Sequence, residues 1–227
     1  MRLKSLIDED FVNYKEAAMF IGTIKCGGKC CIEAGIPLTV CQNDTWRNAP
    51  IVEMDTEELC HRYLDNVLTS AIVIGGLEPF EQFDEIREFI HLMRTEFNCD
   101  DDIVIYTGYN QDEIKMMLDV LSRYKNIVVK FGRYIPNRDS RFDEVLGITL
   151  ASDNQYAVRL EYIPPMKIII NPDSELVSDI RSQLKDNDGY CPCRLDKTPD
   201  TKCMCKEFRE STEPGECHCG LYVKVAE

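Results

Sequence analysis

Ten of the twelve cysteines fall into two clusters, and thiolates at those spacings are metal chemistry before they are anything else. The first cluster lies in Lys25–Trp46, KCGGKCCIEAGIPLTVCQNDTW, which carries Cys26, Cys30, Cys31 and Cys41. Gly27 and Gly28, lacking side chains, let the backbone wrap closely around a bound group. Cys41 follows a Gly-Ile-Pro turn and precedes Gln42 and Asn43. The second cluster comprises three CxC pairs, Cys191-Pro192-Cys193, Cys203-Met204-Cys205 and Cys217-His218-Cys219. In a reducing compartment such groupings point to zinc or to iron and sulfur rather than to structural disulfides. Zinc ribbons favour CxxC over CxC, which places iron ahead of zinc for the second cluster. Cys60 and Cys99 stand alone and read as buried thiols.

An α/β framework is expected to hold the first cluster. From Ala18 to about Ile170, short apolar runs alternate with helix-length amphipathic ones, the pattern of parallel strands joined by crossover helices. The strand candidates are Met19–Thr23, Ala71–Ile74, Ile103–Thr107, Ile127–Phe131 and Lys167–Ile170. Helices are predicted over Asp55–Leu68, Pro79–Arg94 and Gln111–Tyr124, the first capped by Asp55 or Thr56. Residues 1–17 are mixed and charged, a lead-in with a hairpin or a short helix. Ligands of parallel α/β folds bind at the carboxyl ends of strands. Those positions hold the cysteine loop, Gly75-Gly76-Leu77-Glu78-Pro79, Tyr106-Thr107-Gly108-Tyr109 and Phe131-Gly132-Arg133-Tyr134. No side chain among them reads as a general acid or base. After Asn171-Pro172 the composition shifts, and Ser174–Lys185 is a predicted helix with Leu176, Val177, Ile180 and Leu184 on one face.

With 227 residues, 44% of them hydrophobic, the chain is long enough for a full core and an appended module. A formal charge of −14 argues against nucleic acid as a partner, because polyanions are held mainly by Lys and Arg. No segment has the make-up of a signal peptide or a membrane span, so the expected compartment is the cytoplasm, without membrane attachment.

Residues 18 to about 160 resemble the radical S-adenosylmethionine proteins, most closely the activating component of the anaerobic ribonucleotide reductase. Five landmarks carry the resemblance: the ending Cys41-Gln42-Asn43-Asp44-Thr45-Trp46; the Gly-Gly-x-Pro-type motif at Gly75, Gly76, Glu78 and Pro79; Tyr106–Tyr109; Gly132-Arg133; and Ser152-Asp153-Asn154-Gln155. The resemblance implies a partial (β/α) barrel of radical SAM type. It also implies a 4Fe-4S cluster on three cysteines, with the amino and carboxylate groups of S-adenosylmethionine on the remaining iron. Gly75 and Gly76 would face the methionine amine, Glu78 and Pro79 would fix the turn, and Asn43 would lie near the cofactor. The family spaces its second and third cysteines closely, whereas here an insertion holding Cys31 separates Cys30 from Cys41. Either Cys26, Cys30 and Cys41 bind the irons and Cys31 is spare, or Cys31 replaces one of them. The first assignment is preferred, since Cys41 keeps its Asn43 context and adjacent cysteines do not easily face one cluster.

Tyr190–Lys224 resembles the catalytic subunit of ferredoxin:thioredoxin reductase in its CxC pairs, in Gly189-Tyr190 and Arg194, and in the ending Gly220-Leu221-Tyr222-Val223. The resemblance implies a second 4Fe-4S cluster on Cys191, Cys203, Cys205 and Cys217. Cys193 and Cys219 would form a redox-active disulfide beside it, and His218 would exchange protons with that pair. Met204 replaces the family's proline, and the gap between the first two pairs is shorter than usual.

The chain is thus expected to comprise an activase-like domain, residues 1–172, and a small cysteine-rich C-terminal iron-sulfur module, residues 173–227. The expected partners are an anaerobic ribonucleotide reductase or another glycyl-radical protein as substrate and a ferredoxin or flavodoxin-type electron donor. The alternative is a ferredoxin-dependent thiol-disulfide reductase or electron-transfer protein whose first domain only binds a partner; a third is a zinc-bound scaffold. The tail cluster could also feed electrons to the first.

Overall fold

The computed structural model describes every residue except Gln42 and Glu227, and it divides into two units, Met1–Ile163 and Pro164–Glu227. The first is built on a six-stranded mixed sheet. Its strands are β2 (Ser5–Asp10), β3 (Ala18–Gly22), β5 (Ala71–Gly75), β6 (Asp102–Tyr106), β7 (Ile127–Phe131) and β10 (Tyr156–Arg159), in the order β10-β7-β6-β5-β3-β2. The middle four are parallel, and β2 and β10 close the edges antiparallel. Thus the lead-in forms the edge strand β2. A short ladder of β1 (Arg2–Leu3) with β4 (Val52–Glu53) and a hairpin of β8 (Arg141–Asp143) with β9 (Ile148–Leu150) complete the strands.

Alternation along the strands sorts their side chains into two layers. Ile72, Ile74, Ile103, Ile105, Ile127 and Val129 meet the helices α3 (Thr56–Leu64), α4 (Phe83–Thr95) and α5 (Lys115–Leu121). Ala71, Val73, Val104 and Val128 face the other way, onto Tyr14, Leu146 and Leu150. Asp55 caps α3 by accepting the amides of Glu57 and Glu58. The predicted helices at Pro79 and Gln111 each open as a 3-10 turn before turning α-helical at Phe83 and Lys115. All four parallel strands end at the same edge of the sheet. That edge receives the cysteine loop, with its two short helices α1 (Lys29–Ala34) and α2 (Asp44–Asn48).

The second unit is a three-stranded sheet of β11 (Met166–Ile170), β13 (Tyr222–Ala226) and β12 (Gly215–Glu216), with helices α6 (Ser174–Asp186) and α7 (Lys206–Glu210). The strand over Lys167–Ile170 exists, but it does not join the parallel sheet. It pairs with β13 along its whole length, so the division of the chain falls ahead of β11 instead of after Asn171-Pro172. The partner strand is far off in sequence, and local periodicity does not reveal it. Among the described residues, no helix is long and apolar enough to cross a membrane.

Candidate functional site

The residues following the four parallel strands are tied to one another. After β3, Thr23 donates its amide to Gly75 O at 3.0 Å, joining the ends of β3 and β5. Gly76 has φ +83°, and a Cβ there would stand 3.1 Å from Gly22 Cα, so this close approach requires glycine. The Asn43 side-chain amide donates to Gly76 O, linking the end of the cysteine loop to the Gly-Gly turn. Glu78 N donates to Lys25 O at 2.6 Å and Gly27 N to Glu81 at 2.7 Å, linking the start of the loop to the same turn.

Glu78 joins β5 to β6. Its buried carboxylate accepts the Thr107 hydroxyl at 2.7 Å, the Gly108 amide at 2.9 Å and the Phe80 amide at 3.2 Å. Burial raises its pKa above the ordinary carboxylate range, against the pull of these hydrogen bonds. The end of β7 joins in: Gly132 N donates to Tyr109 O at 3.1 Å. Asn154 in turn donates to Arg133 O at 2.8 Å and Gln155 to Gly132 O at 3.2 Å. The five sequence landmarks, spread from Cys41 to Gln155, therefore form one connected network.

Of two cations in this network, Arg133 belongs to the Gly132-Arg133 landmark, whereas Lys130 lies outside the residues the sequence singles out. Lys130 on β7 is buried, donates to Gly132 O at 3.1 Å, and lies near the Tyr106 ring with Cys30 and Glu78 in electrostatic reach. Burial pulls its pKa down to about 8. A lone lysine inside the apolar run Ile127–Phe131 was the available signal. Arg133 makes a two-pronged contact with Glu113, both bonds 2.7 Å, and reaches Glu33 at 2.9 Å.

Within the loop, Cys26 sulfur accepts the Gly28 amide at 3.3 Å and Cys41 sulfur the Asn43 amide at 3.4 Å. Cys31 is buried, burial raises the pKa of its thiol, and Cys41 is among the groups that raise it further. Cys30 is half-buried, and its sulfur lies 2.8 Å from where a Gly108 Cβ would stand. Burial pushes its thiol up to about 11. Arg47 reaches back from α2 to donate to Cys26 O at 3.3 Å.

In the second unit the sulfurs are part of the core. Cys191, Cys205, Cys217 and Cys219 are buried with Val177, Ile180, Phe208 and Leu221, and Cys203 packs against them. Leu176 and Leu184 join from α6, the apolar face expected there. A bridge between Tyr190 and Lys202 brings the first two CxC pairs together, with Cys191 N on Thr201 O at 3.0 Å and Cys203 N on Gly189 O at 2.9 Å. The Cys217 and Cys219 sulfurs are 3.6 Å apart, and Cys217 sulfur accepts the Tyr222 amide at 3.2 Å. Cys193 is exposed, with Cys191 among its electrostatic neighbours, and His218 is exposed between two buried cysteines.

Among the described residues, no three His, Cys, Asp or Glu side chains converge on a single metal ion. An iron-sulfur cluster distributes its thiolates over several irons. The donor chemistry suits one: both groupings are rich in thiols, and amide N–H groups point at the sulfurs of Cys26, Cys41 and Cys217.

No curated protein and no solved structure matches the chain. The 4Fe-4S single cluster domain family matches residues 38–151, from just ahead of Cys41 through the Gly-Gly turn to the β8–β9 hairpin. With that match over half its length, the chain belongs to the 4Fe-4S single cluster domain family and is an iron-sulfur protein.

Proposed function

We propose that the chain is a radical S-adenosylmethionine activating enzyme that installs a glycyl radical on an anaerobic ribonucleotide reductase or another glycyl-radical protein, working in the cytoplasm. The supporting observation is the network that joins Asn43 to Gly76, Glu78 to Thr107 and Gly108, and Gly132 to Gln155. The α/β scaffold would act as the partial (β/α) barrel of this enzyme type. Cys26, Cys41 and one of the adjacent pair Cys30 and Cys31 would hold three irons of a 4Fe-4S cluster. Glu78 and the turn Gly75, Gly76 and Pro79 would receive the ammonium end of the cofactor, with Asn43 beside them and Lys130 countering the carboxylate. When bound and reduced, this pairing supplies a 5'-deoxyadenosyl radical for hydrogen abstraction. The protein's own contribution is to orient the cofactor and exclude water. The tail would hold a second cluster on Cys191, Cys203, Cys205 and Cys217, and Cys193 with Cys219 would reduce a partner disulfide, His218 moving the proton. Its electrons would come from a ferredoxin or flavodoxin-type donor.

Anaerobic incubation of the reconstituted chain with dithionite and S-adenosylmethionine tests this. Release of 5'-deoxyadenosine is expected; none from a fully loaded first cluster overturns the activase. A second function, an electron-transfer or thiol-reductase protein whose first domain binds a partner, is favoured by one observation: the family match starts at residue 38, leaving Cys26, Cys30 and Cys31 outside it. The same assay would then give disulfide reduction without 5'-deoxyadenosine.

A further inference from the structure

Arg47 lies in the last turn of α2 and is half-buried as a residue. Its guanidinium Nε and Nη2 are nevertheless enclosed, and among the described residues neither meets a hydrogen-bond acceptor. Two contacts fix the residue: Nη1 donates to Cys26 O at 3.3 Å, and Lys4 Nζ donates to Arg47 O. Nε and Nη2 share one edge of the planar guanidinium, the edge with which Arg62 holds both oxygens of Asp8 at 2.6 and 2.7 Å. In Arg47 that edge lies by the cysteine loop. A Cβ on Gly28 would stand 3.9 Å from Nη2, and the Cys26 and Cys31 thiols are in electrostatic reach of the charge. A guanidinium does not shed its proton in a protein. Two of its donors are therefore shut away from water without a partner, which is costly unless an anionic group completes the arrangement.

We propose that Arg47 donates from Nε and Nη2 to the sulfurs of the first cluster and thereby raises its reduction potential. The acceptor is one that the family supplies, since residues 38–151, which match the 4Fe-4S single cluster domain, include Arg47. Thiolates and inorganic sulfides are anionic, and the amides of Gly28 and Asn43 already point at the sulfurs of Cys26 and Cys41. Arg47 adds a charged pair of donors to this set. Hydrogen bonds to cluster sulfurs and a nearby positive charge both favour the electron-rich state. Reduction takes one electron from an external one-electron donor, and no bond to Arg47 is made or broken. Lysine is a poor substitute, because a point charge cannot serve Cys26 O and a two-donor edge at once. The contact is defined by the unfilled edge of the guanidinium, so it holds whichever of Cys30 and Cys31 carries an iron. It is also independent of the activase function.

The test uses the full chain, reconstituted anaerobically and titrated with dithionite without S-adenosylmethionine while the paramagnetic signal of reduced iron-sulfur groups is recorded. The signal that Cys41→Ala removes is the first cluster's. Arg47→Met, at unchanged iron and sulfide content, is expected to shift that cluster's reduction equilibrium at least tenfold toward the oxidised form, about 59 mV for a one-electron couple. Arg47→Lys, which keeps the charge and loses the fork, should shift it in the same direction by less. Any signal that persists in Cys41→Ala should keep its midpoint. Wild type carrying arginine isotopically labelled at the guanidinium nitrogens should show a nitrogen hyperfine coupling to the first cluster that Arg47→Lys lacks. This reading carries the test if Arg47→Met does not load. Unchanged midpoints in both variants, or no arginine coupling in wild type, would overturn the contact. A coupling that arises only after S-adenosylmethionine is added would overturn it too, and assign the guanidinium to the cofactor's carboxylate. A midpoint shift without release of 5'-deoxyadenosine leaves Arg47 on the cluster and removes the activase; release with unmoved midpoints does the reverse.

Discussion

Thr107 donates its hydroxyl to the Glu78 carboxylate at 2.7 Å, inside the protein, where both residues are buried. This bond fastens the end of β6 to the turn after β5 and sets the charge at the turn. The same hydroxyl accepts the Tyr109 amide at 3.0 Å, so one side chain serves both strands. Glu78→Ala leaves the Thr107 hydroxyl and the Gly108 amide without their acceptor, at about 1–3 kcal/mol for each buried orphan. Thermal unfolding of the cluster-free chain is expected to fall by about 2–4 °C for each kcal/mol lost.

The same carboxylate sets a pH dependence. Burial raises the Glu78 pKa, so its charge is lost at a higher pH than for an ordinary glutamate. If it receives the cofactor ammonium, affinity for S-adenosylmethionine weakens as pH falls through that value. Thr107→Val removes a bond that opposes the shift, so the midpoint moves further up. The sign for stability is opposite: the folded chain holds this proton more tightly than the unfolded one, and Glu78 stabilises less as pH rises through its folded pKa. Equilibrium dialysis of the cofactor across the mildly acidic range reads the midpoint; identical midpoints for wild type and Thr107→Val would dismiss the role.

Lys130→Met separates a structural lysine from a ligand-facing one. Its pKa is pulled down to about 8 by burial, so the unfolded chain binds more protons between that value and the ordinary lysine range. Its contribution therefore grows as pH rises through that window, and at neutral pH its charge is a cost. Denaturant unfolding should show Lys130→Met at least as stable as wild type at neutral pH, with a flatter rise toward alkaline pH. Cofactor affinity should fall about tenfold or more, the effect of losing a charge-assisted contact of about 1.5–3 kcal/mol. Unchanged affinity would confine Lys130 to the fold.

Gly76→Ala places a side chain at φ +83° and 3.1 Å from Gly22 Cα. The left-handed backbone alone costs about 1–2 kcal/mol. The Asn43 bond to Gly76 O is expected to break with it. Slower cluster reconstitution, followed by visible absorbance, would register the loss of this tether.

In the tail, Cys203→Ser is expected to lose the module's iron, whereas Cys193→Ser and Cys219→Ser keep it and lose disulfide reduction. Iron analysis beside an insulin-reduction assay distinguishes the two classes. Retained reduction in either dithiol variant would break the assignment of Cys193 and Cys219.

Much of this was legible in the chain because its signals are local. The strand ends and the glycines after them are written in short apolar runs, and Asp55 announces its helix one residue early. Lys130 was harder: a cation within a buried strand is visible, yet only the folded sheet shows that it donates to Gly132 O and has Cys30 and Glu78 in electrostatic reach. The orientation of Cys30 against Cys31 depends on the helical turn they share, which spacing alone leaves open. The partner of β11 was illegible for a different reason, since no pattern in Met166–Ile170 names Tyr222–Ala226 as its neighbour.

That pairing bears on how the protein is made. During synthesis β11 leaves the ribosome roughly fifty residues before β13, so the small sheet stays open until the last cysteine has emerged. Cys191, Cys205, Cys217 and Cys219, buried in the folded unit, are thus packed away only after β13 has emerged. Closing the sheet is therefore a late event, and a chain stalled before Tyr222 would leave β11 without its partner strand.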